Sequence, residues 1–147
     1  MSDAGSGDGC FLCAAASGEE DALVVSRDGS TVTLLNRFPY NPGHVMVATA
    51  EHVNDLLSAG DERAAALMVS ARRAMRALEA ALQPDGFNVG INHGRAGGAS
   101  VDHLHLHVVP RWGGDTNYMP VVGNTKVLPE LLEDTAAKLR AAFSELD

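Results

Sequence analysis

Between residues 22 and 48 the apolar side chains come in short β-branched runs divided by turn residues. Ala22-Leu23-Val24-Val25 and Thr31-Val32-Thr33-Leu34-Leu35 predict two strands, and the Asp28-Gly29 between them is a hairpin signal. A Pro/Asn/Gly turn at 39–43 leads into a third strand over 44–48. The period then changes. Leu67, Ala71, Ala74, Leu78 and Leu82 recur at helical spacing. They predict a long helix over 61–82, with Asp61 as its N-cap and Pro84-Asp85-Gly86 as its stop. A short helix is expected just before it, at 54–57. Strict alternation returns at 87–92 and again from His103 to Val109, and an amphipathic helix is expected over about 129–143. Strands joined by hairpin-type connections around one long helix describe an α+β fold on an antiparallel sheet, here five-stranded with a C-terminal helix.

The last alternating run carries the chemistry. His103-Leu104-His105-Leu106-His107-Val108-Val109 places three histidines at a spacing of two. On an extended strand they share one face, while Leu104, Leu106 and Val108 share the other and pack into the core. Such a face presents several nitrogens able to serve as nucleophile, proton donor or metal ligand near neutral pH.

The chain has 147 residues, 46% of them hydrophobic, which suits a single domain over 10–147 behind a polar leader expected to be disordered over 1–9. The formal net charge is −8, and no stripe of Lys and Arg exists to meet nucleic acid or an anionic membrane. No apolar run is long enough to span a bilayer, and the N-terminus lacks the basic and apolar parts of a signal peptide, so a cytoplasmic protein is expected. In that reducing compartment the Cys10-x-x-Cys13 spacing reads as a metal half-site or a redox pair before it reads as a disulfide.

Two chemistries can use a His-x-His-x-His strand: imidazoles converging on zinc, or one imidazole attacking phosphorus. The preceding segment, Asn92-His93-Gly94-Arg95-Ala96-Gly97-Gly98-Ala99-Ser100, bears on the choice. Its glycines let backbone N–H groups approach an anion, and Ser100 adds a hydroxyl. A phosphate cradle beside an imidazole fits phosphoryl or nucleotidyl transfer better than it fits a hydrated metal. It is neither a Walker A loop nor a dinucleotide loop, since both endings are missing.

The run 103–109 behind Gly97-Gly98-Ala99-Ser100, together with Asn36-Arg37-Phe38-Pro39-Tyr40-Asn41-Pro42-Gly43-His44, resembles the histidine-triad (HIT) superfamily of nucleotide hydrolases and transferases. The downstream Arg111-Trp112-Gly113-Gly114-Asp115 and Thr125-Lys126 resemble its diadenosine-tetraphosphate phosphorylase-type branch. The resemblance implies that His105 attacks the α-phosphate of adenine dinucleotides and forms a nucleotidyl-histidine, released by water or by phosphate. It gives His107 and Ser100 contacts to the phosphate or leaving group and His44 a supporting place in the active-site network. Asn36 falls at the ribose, and Asn92, Gly98 and Ala99 at the bound nucleotide. Ala99 stands where several members carry Gln, which removes one polar side chain near the leaving group.

The same resemblance implies a Cys₂His₂ structural zinc site from Cys10, Cys13, His52 and His103, no organic cofactor, and a homodimer whose sheets join edge to edge. A competing reading is a nucleotide-binding module that acts through partners with little catalysis. A third makes the three histidines metal ligands of a metalloenzyme, but no carboxylate base is evident near them.

Overall fold

The computed structural model describes residues 9–115 and 131–146; the expected leader, apart from Gly9, and Lys126 lie outside these. Five strands, β1 (Val24–Arg27), β2 (Thr31–Leu35), β3 (Val45–Thr49), β4 (Gly86–Gly90) and β5 (His105–Arg111), form one sheet in the order β1-β2-β3-β5-β4. Every pairing is antiparallel. Among the described residues three α-helices accompany it: α1 (Phe11–Ser17), α2 (Asp61–Leu82) and α3 (Leu132–Leu146). The α+β architecture read from the sequence is therefore present, with α1 as an addition.

The α1 helix was not expected, although its cue is local. Leu12 and Ala15, three apart, are the two residues it buries, and Gly18 ends it in the left-handed conformation (φ 95°). Arg27 Nε donates to the carbonyl of Ala15 at 2.8 Å and ties the helix to β1.

Two other expectations are corrected. Residues 54–57 form no helix, because Asp55 Oδ1 accepts the Ser58 N–H and hydroxyl and closes a turn instead. Asp61 is not the N-cap of α2. Gly60 holds that position with φ 83°, and Asp61 lies in the first turn beside Glu62, where both carboxylates face the positive end of the helix dipole. The helix ends as expected at Leu82, where Gln83 turns left-handed and donates its N–H to Glu79.

The core lies between one face of the sheet and α2 with α3. Val45, Val47, Leu106 and Val108 meet Leu67, Ala71, Ala74, Ala77 and Leu78 of α2, and the alanines let the helix approach the sheet closely. A smaller apolar layer (Leu12, Ala15, Val32, Leu34, Met46 and Ala48) packs α1 on the opposite face. The central strand β3 is thus buried on both faces. Strand β5 instead alternates, with Leu106, Val108 and Pro110 buried and the residues between them half-buried.

Candidate active site and metal-binding cluster

Period-two alternation does place His105 and His107 together. They pair across the ladder with Ala48 and Met46, and their ring centroids lie 5.0 Å apart on the α1 side of the sheet. His103 departs from the expected uniform strand, since regular pairing begins only at His105. Its ring is fully buried, reaching Cys10 through Nδ1 (3.2 Å) and the Thr49 carbonyl through Nε2 (2.7 Å). Two residues at the start of one strand therefore serve different surroundings.

The partners of each ring assign its tautomer. His105 Nδ1 lies 2.7 Å from the carbonyl oxygen of His103. A carbonyl only accepts, so Nδ1 carries the proton and Nε2 keeps its lone pair. The Tyr40 backbone N–H donates to His44 Nδ1 at 3.0 Å, which leaves the His44 proton on Nε2. That nitrogen is 2.8 Å from His107 Nδ1, so His107 accepts there and carries its own proton on Nε2. The chain of bonds thus produces one bare nitrogen on His105 and one N–H donor on His107.

Charge follows the same logic. Burial, then the neighbouring His107, pushes His44 down to about 4, so it stays neutral at pH 7. Burial, then His105, also holds His107 below the usual imidazole value.

Asn36 lies beside this pair, its amide nitrogen 3.3 Å from His44 Nε2 and its oxygen taking the Phe38 N–H. Two cavities flank the loop 92–101. One, of about 520 Å³, includes Asn36, Leu34, Phe38 and Met46 in its wall; the other, of about 710 Å³, includes Asn54, His93 and Arg95. Asn92, Gly98, Ala99, Ser100 and His105 border both. Asn36, Asn92, Gly98, Ala99, Ser100, His105 and His107 thus line this cleft, while His44 lines neither cavity and stands behind His107.

The loop itself corrects the anion-cradle reading. The N–H groups of Gly97 and Ala99 bond to Gly94, and that of Gly98 to Arg95, closing a 3-10 turn over Arg95–Gly97. Those three donors are used internally. The glycines shape the turn, with Gly98 at φ 97°, and the loop offers the cavity the side chains of Asn92, His93, Arg95 and Ser100.

Beyond the cleft, Cys10, Cys13, His52 and His103 bring one ligand atom each to within 4.8 Å of one another, an arrangement able to bind a metal. Cys13 Sγ is 3.2 Å from His52 Nδ1 and 3.5 Å from His103 Nδ1. The ligand-to-ligand edge around a tetrahedral zinc with mixed S and N donors is about 3.5 Å, so the four groups fit the ion. Their chemistry fits as well. The Thr49 carbonyl takes the His103 Nε2 proton and turns the Nδ1 lone pair toward the sulfurs, the usual outer-shell support of a metal-bound imidazole. Burial and Cys10 push the Cys13 thiol up to about 11, so paired thiolates here require a cation. His52 Nε2, meanwhile, is buried with no hydrogen-bond partner among the described residues.

The sequence reading missed the Tyr40 N–H, the Thr49 carbonyl and Asp115. The first two are backbone groups that residue identity does not reveal. Asp115 accepts from Asn41 Nδ2 (2.8 Å), Arg111 Nε (3.0 Å) and the Trp112 N–H (3.0 Å).

Comparison with known proteins agrees with this geometry. The HIT domain family model matches residues 17–114, beginning after the cysteine pair. A Mycobacterium tuberculosis protein named AP-4-A phosphorylase is 47% identical over 127 residues, covering 86% of this chain and 65% of its own length. The chain thus spans somewhat under two thirds of that relative. An uncharacterized HIT-like protein of Saccharolobus solfataricus is 30% identical, covering 75% of this chain and 79% of its own. The crystal structure of a zinc-bound histidine triad family protein from Mycobacterium smegmatis superposes with a TM-score of 0.82 at 32% identity, covering 97% and 98% of the two chains.

Proposed function

Because the chain belongs to the HIT domain family, we propose that it is a nucleotidyl transferase that cleaves dinucleoside polyphosphates such as diadenosine tetraphosphate, with inorganic phosphate as acceptor. The single observation that carries this reading is the 2.7 Å bond from His105 Nδ1–H to the His103 carbonyl, which leaves Nε2 as a lone pair at the cleft. The 47% identity to the mycobacterial phosphorylase supports phosphate over water as acceptor.

In the first step the Nε2 lone pair of His105 attacks the α-phosphorus, and the bond to the bridging oxygen breaks. ATP leaves with that electron pair, and an adenylyl-histidine remains. In the second step an oxygen of inorganic phosphate attacks the same phosphorus and the N–P bond breaks. ADP forms and Nε2 recovers its lone pair. On this reading His107 Nε2–H donates to a non-bridging oxygen as charge accumulates there, and positioning with charge stabilisation supplies most of the catalysis in such transfers. Ser100 and Asn92 border the cleft as hydroxyl and amide contacts to the phosphates, and Asn36 with the apolar cavity suits ribose and base.

On this reading Cys10, Cys13, His52 and His103 hold a structural zinc, all four positions being taken by protein so that no open site remains for catalysis. The zinc-bound mycobacterial neighbour supports that choice of metal. A cytoplasmic setting would keep both thiols reduced. Dimerisation through the sheet edge is supported by β4, an edge strand with an exposed Val89.

The test is product analysis. With phosphate, diadenosine tetraphosphate should yield equimolar ADP and ATP, and an acid-labile adenylyl group should be recoverable on His105 after rapid quenching. A His105→Ala protein that keeps full turnover would falsify the assignment. Tight mononucleotide binding with no turnover would favour the binding-module reading.

A further inference from the structure

We propose that Asp115 is a positioning residue for this reaction: it anchors the 39–43 turn so that His44 presents a single tautomer to His107. The inference rests on the reading of His107 Nε2–H as the phosphate-facing donor.

The anchor is a continuous chain of contacts. Asn41 uses its side-chain amide twice, donating to the Pro110 carbonyl and to Asp115 Oδ2, both at 2.8 Å. The Asn41 carbonyl takes the His44 N–H at 3.1 Å, so this residue fixes the backbone on which His44 stands. Its neighbour Tyr40 supplies the N–H that meets His44 Nδ1, and the Tyr40 ring lies under the Arg111 guanidinium at 5.6 Å. Arg111 in turn clamps Asp115 with two bonds of 3.0 Å, and the Asp115 side chain is only 9% exposed. Arg111 is the last residue of the strand that carries His105 and His107. The Asn41–Pro110 bond ties the turn directly to the catalytic strand, and the Asp115 carboxylate adds a second tie that joins Asn41 to Arg111.

The consequence of loosening it is specific. Without the Tyr40 N–H held on Nδ1, His44 can move its proton to Nδ1, and its bare Nε2 then confronts the bare Nδ1 of His107. Two lone pairs at 2.8 Å repel, so His107 must shift its own proton to Nδ1. Its outer nitrogen then carries a lone pair toward the phosphate oxygens, where a donor is needed. Losing one such donor lowers kcat by about tenfold or more, while ground-state binding changes little.

The experiment compares wild type, Asp115→Ala and Asp115→Asn, with histidine ring tautomers read by nitrogen-15 NMR and kinetics on diadenosine tetraphosphate with phosphate. Wild type should show His44 as the Nε2–H form. Asp115→Ala should show loss of that single form and a kcat about tenfold lower with KM within about twofold. Asp115→Asn keeps an acceptor for Asn41 and Trp112 and should retain both the tautomer and most of kcat. Should Asp115→Ala fail to fold by circular dichroism, Asn41→Ala tests the same link. An unchanged His44 tautomer, or an unchanged kcat, in the folded alanine variant overturns the proposal. If wild type turns over no dinucleoside polyphosphate, the functional reading falls, and the tautomer comparison still decides the anchoring role.

Discussion

The carbonyl of His103 accepts the Nδ1 proton of His105 at 2.7 Å while the ring of the same His103 lies 3.2 Å from Cys10 Sγ. One residue therefore stands between the cysteine cluster and the proposed nucleophile. Whatever fixes its ring also fixes the peptide group that orients His105.

The metal reading follows directly. Protein prepared under reducing conditions should contain one zinc per chain by elemental analysis, and a Cys10→Ser/Cys13→Ser variant should contain almost none. Because metal binding to such a site is folding free energy, the variant should also melt several degrees lower. Zinc content well below one per chain in carefully handled wild type would count against the site.

His44 makes stability depend on pH in a stated direction. Its folded value is about 4 against 6.5 for an ordinary imidazole, so between these values the unfolded chain binds a proton that the folded chain refuses. Stability is then fully present above pH 6.5 and falls as pH drops toward 4, by on the order of 3 kcal/mol for this group. Urea denaturation at pH 7 and pH 5 should show the loss, and His44→Gln should show a shallower one. An equally steep loss in that variant would remove His44 as its source.

Gly43 sits at φ 84°, immediately before His44, and a Cβ there would lie 2.6 Å from Leu82 Cδ1 and 3.0 Å from Leu78 Cδ2. The leucine methyls can yield, but the backbone conformation cannot be made comfortable for alanine. Gly43→Ala should cost about 1–3 kcal/mol in equilibrium unfolding. A neutral substitution would mean that the turn can be rebuilt with negative φ.

Asp28, itself exposed, joins the hairpin to α2 over the buried Thr31 and Ser70. It accepts from the N–H groups of Ser30 and Thr31, from the Thr31 hydroxyl and from the Ser70 hydroxyl. Asp28→Ala removes the acceptor of the buried Thr31 N–H and should destabilise the protein by about 1–2 kcal/mol, measured by denaturant midpoint. A shift under about 0.5 kcal/mol would show that water replaces the carboxylate.

Much of the fold was legible because its signals are local. The apolar run 31–35, the alternation in 105–109 and the helical recurrence from Leu67 to Leu82 mark burial, and the structure buries 31–35, Leu106, Val108, Leu67, Ala71, Ala74 and Leu78, with Leu82 half-buried. The misreadings came where hydrogen bonds competed. Ser58 capped by Asp55 makes a turn of what looks helical, and the glycine loop consumes the N–H groups that its composition seemed to offer an anion. The four metal-cluster residues were identified at family-matching positions, but spacing along the chain could not bring Cys10 within reach of a ring 93 residues away.

The sequence by itself determined which side chains are present and on which face of a strand they fall, since a period of two is a property of the extended backbone. It could not determine protons. Whether a histidine nitrogen donates or accepts is set by the group opposite it, and here those groups are two carbonyls, of His103 and Thr49, and the N–H of Tyr40. Backbone groups are the same at every position, so only their placement in three dimensions makes His105 bare at Nε2 and His107 a donor, and turns His103 Nδ1 toward the cysteine sulfurs.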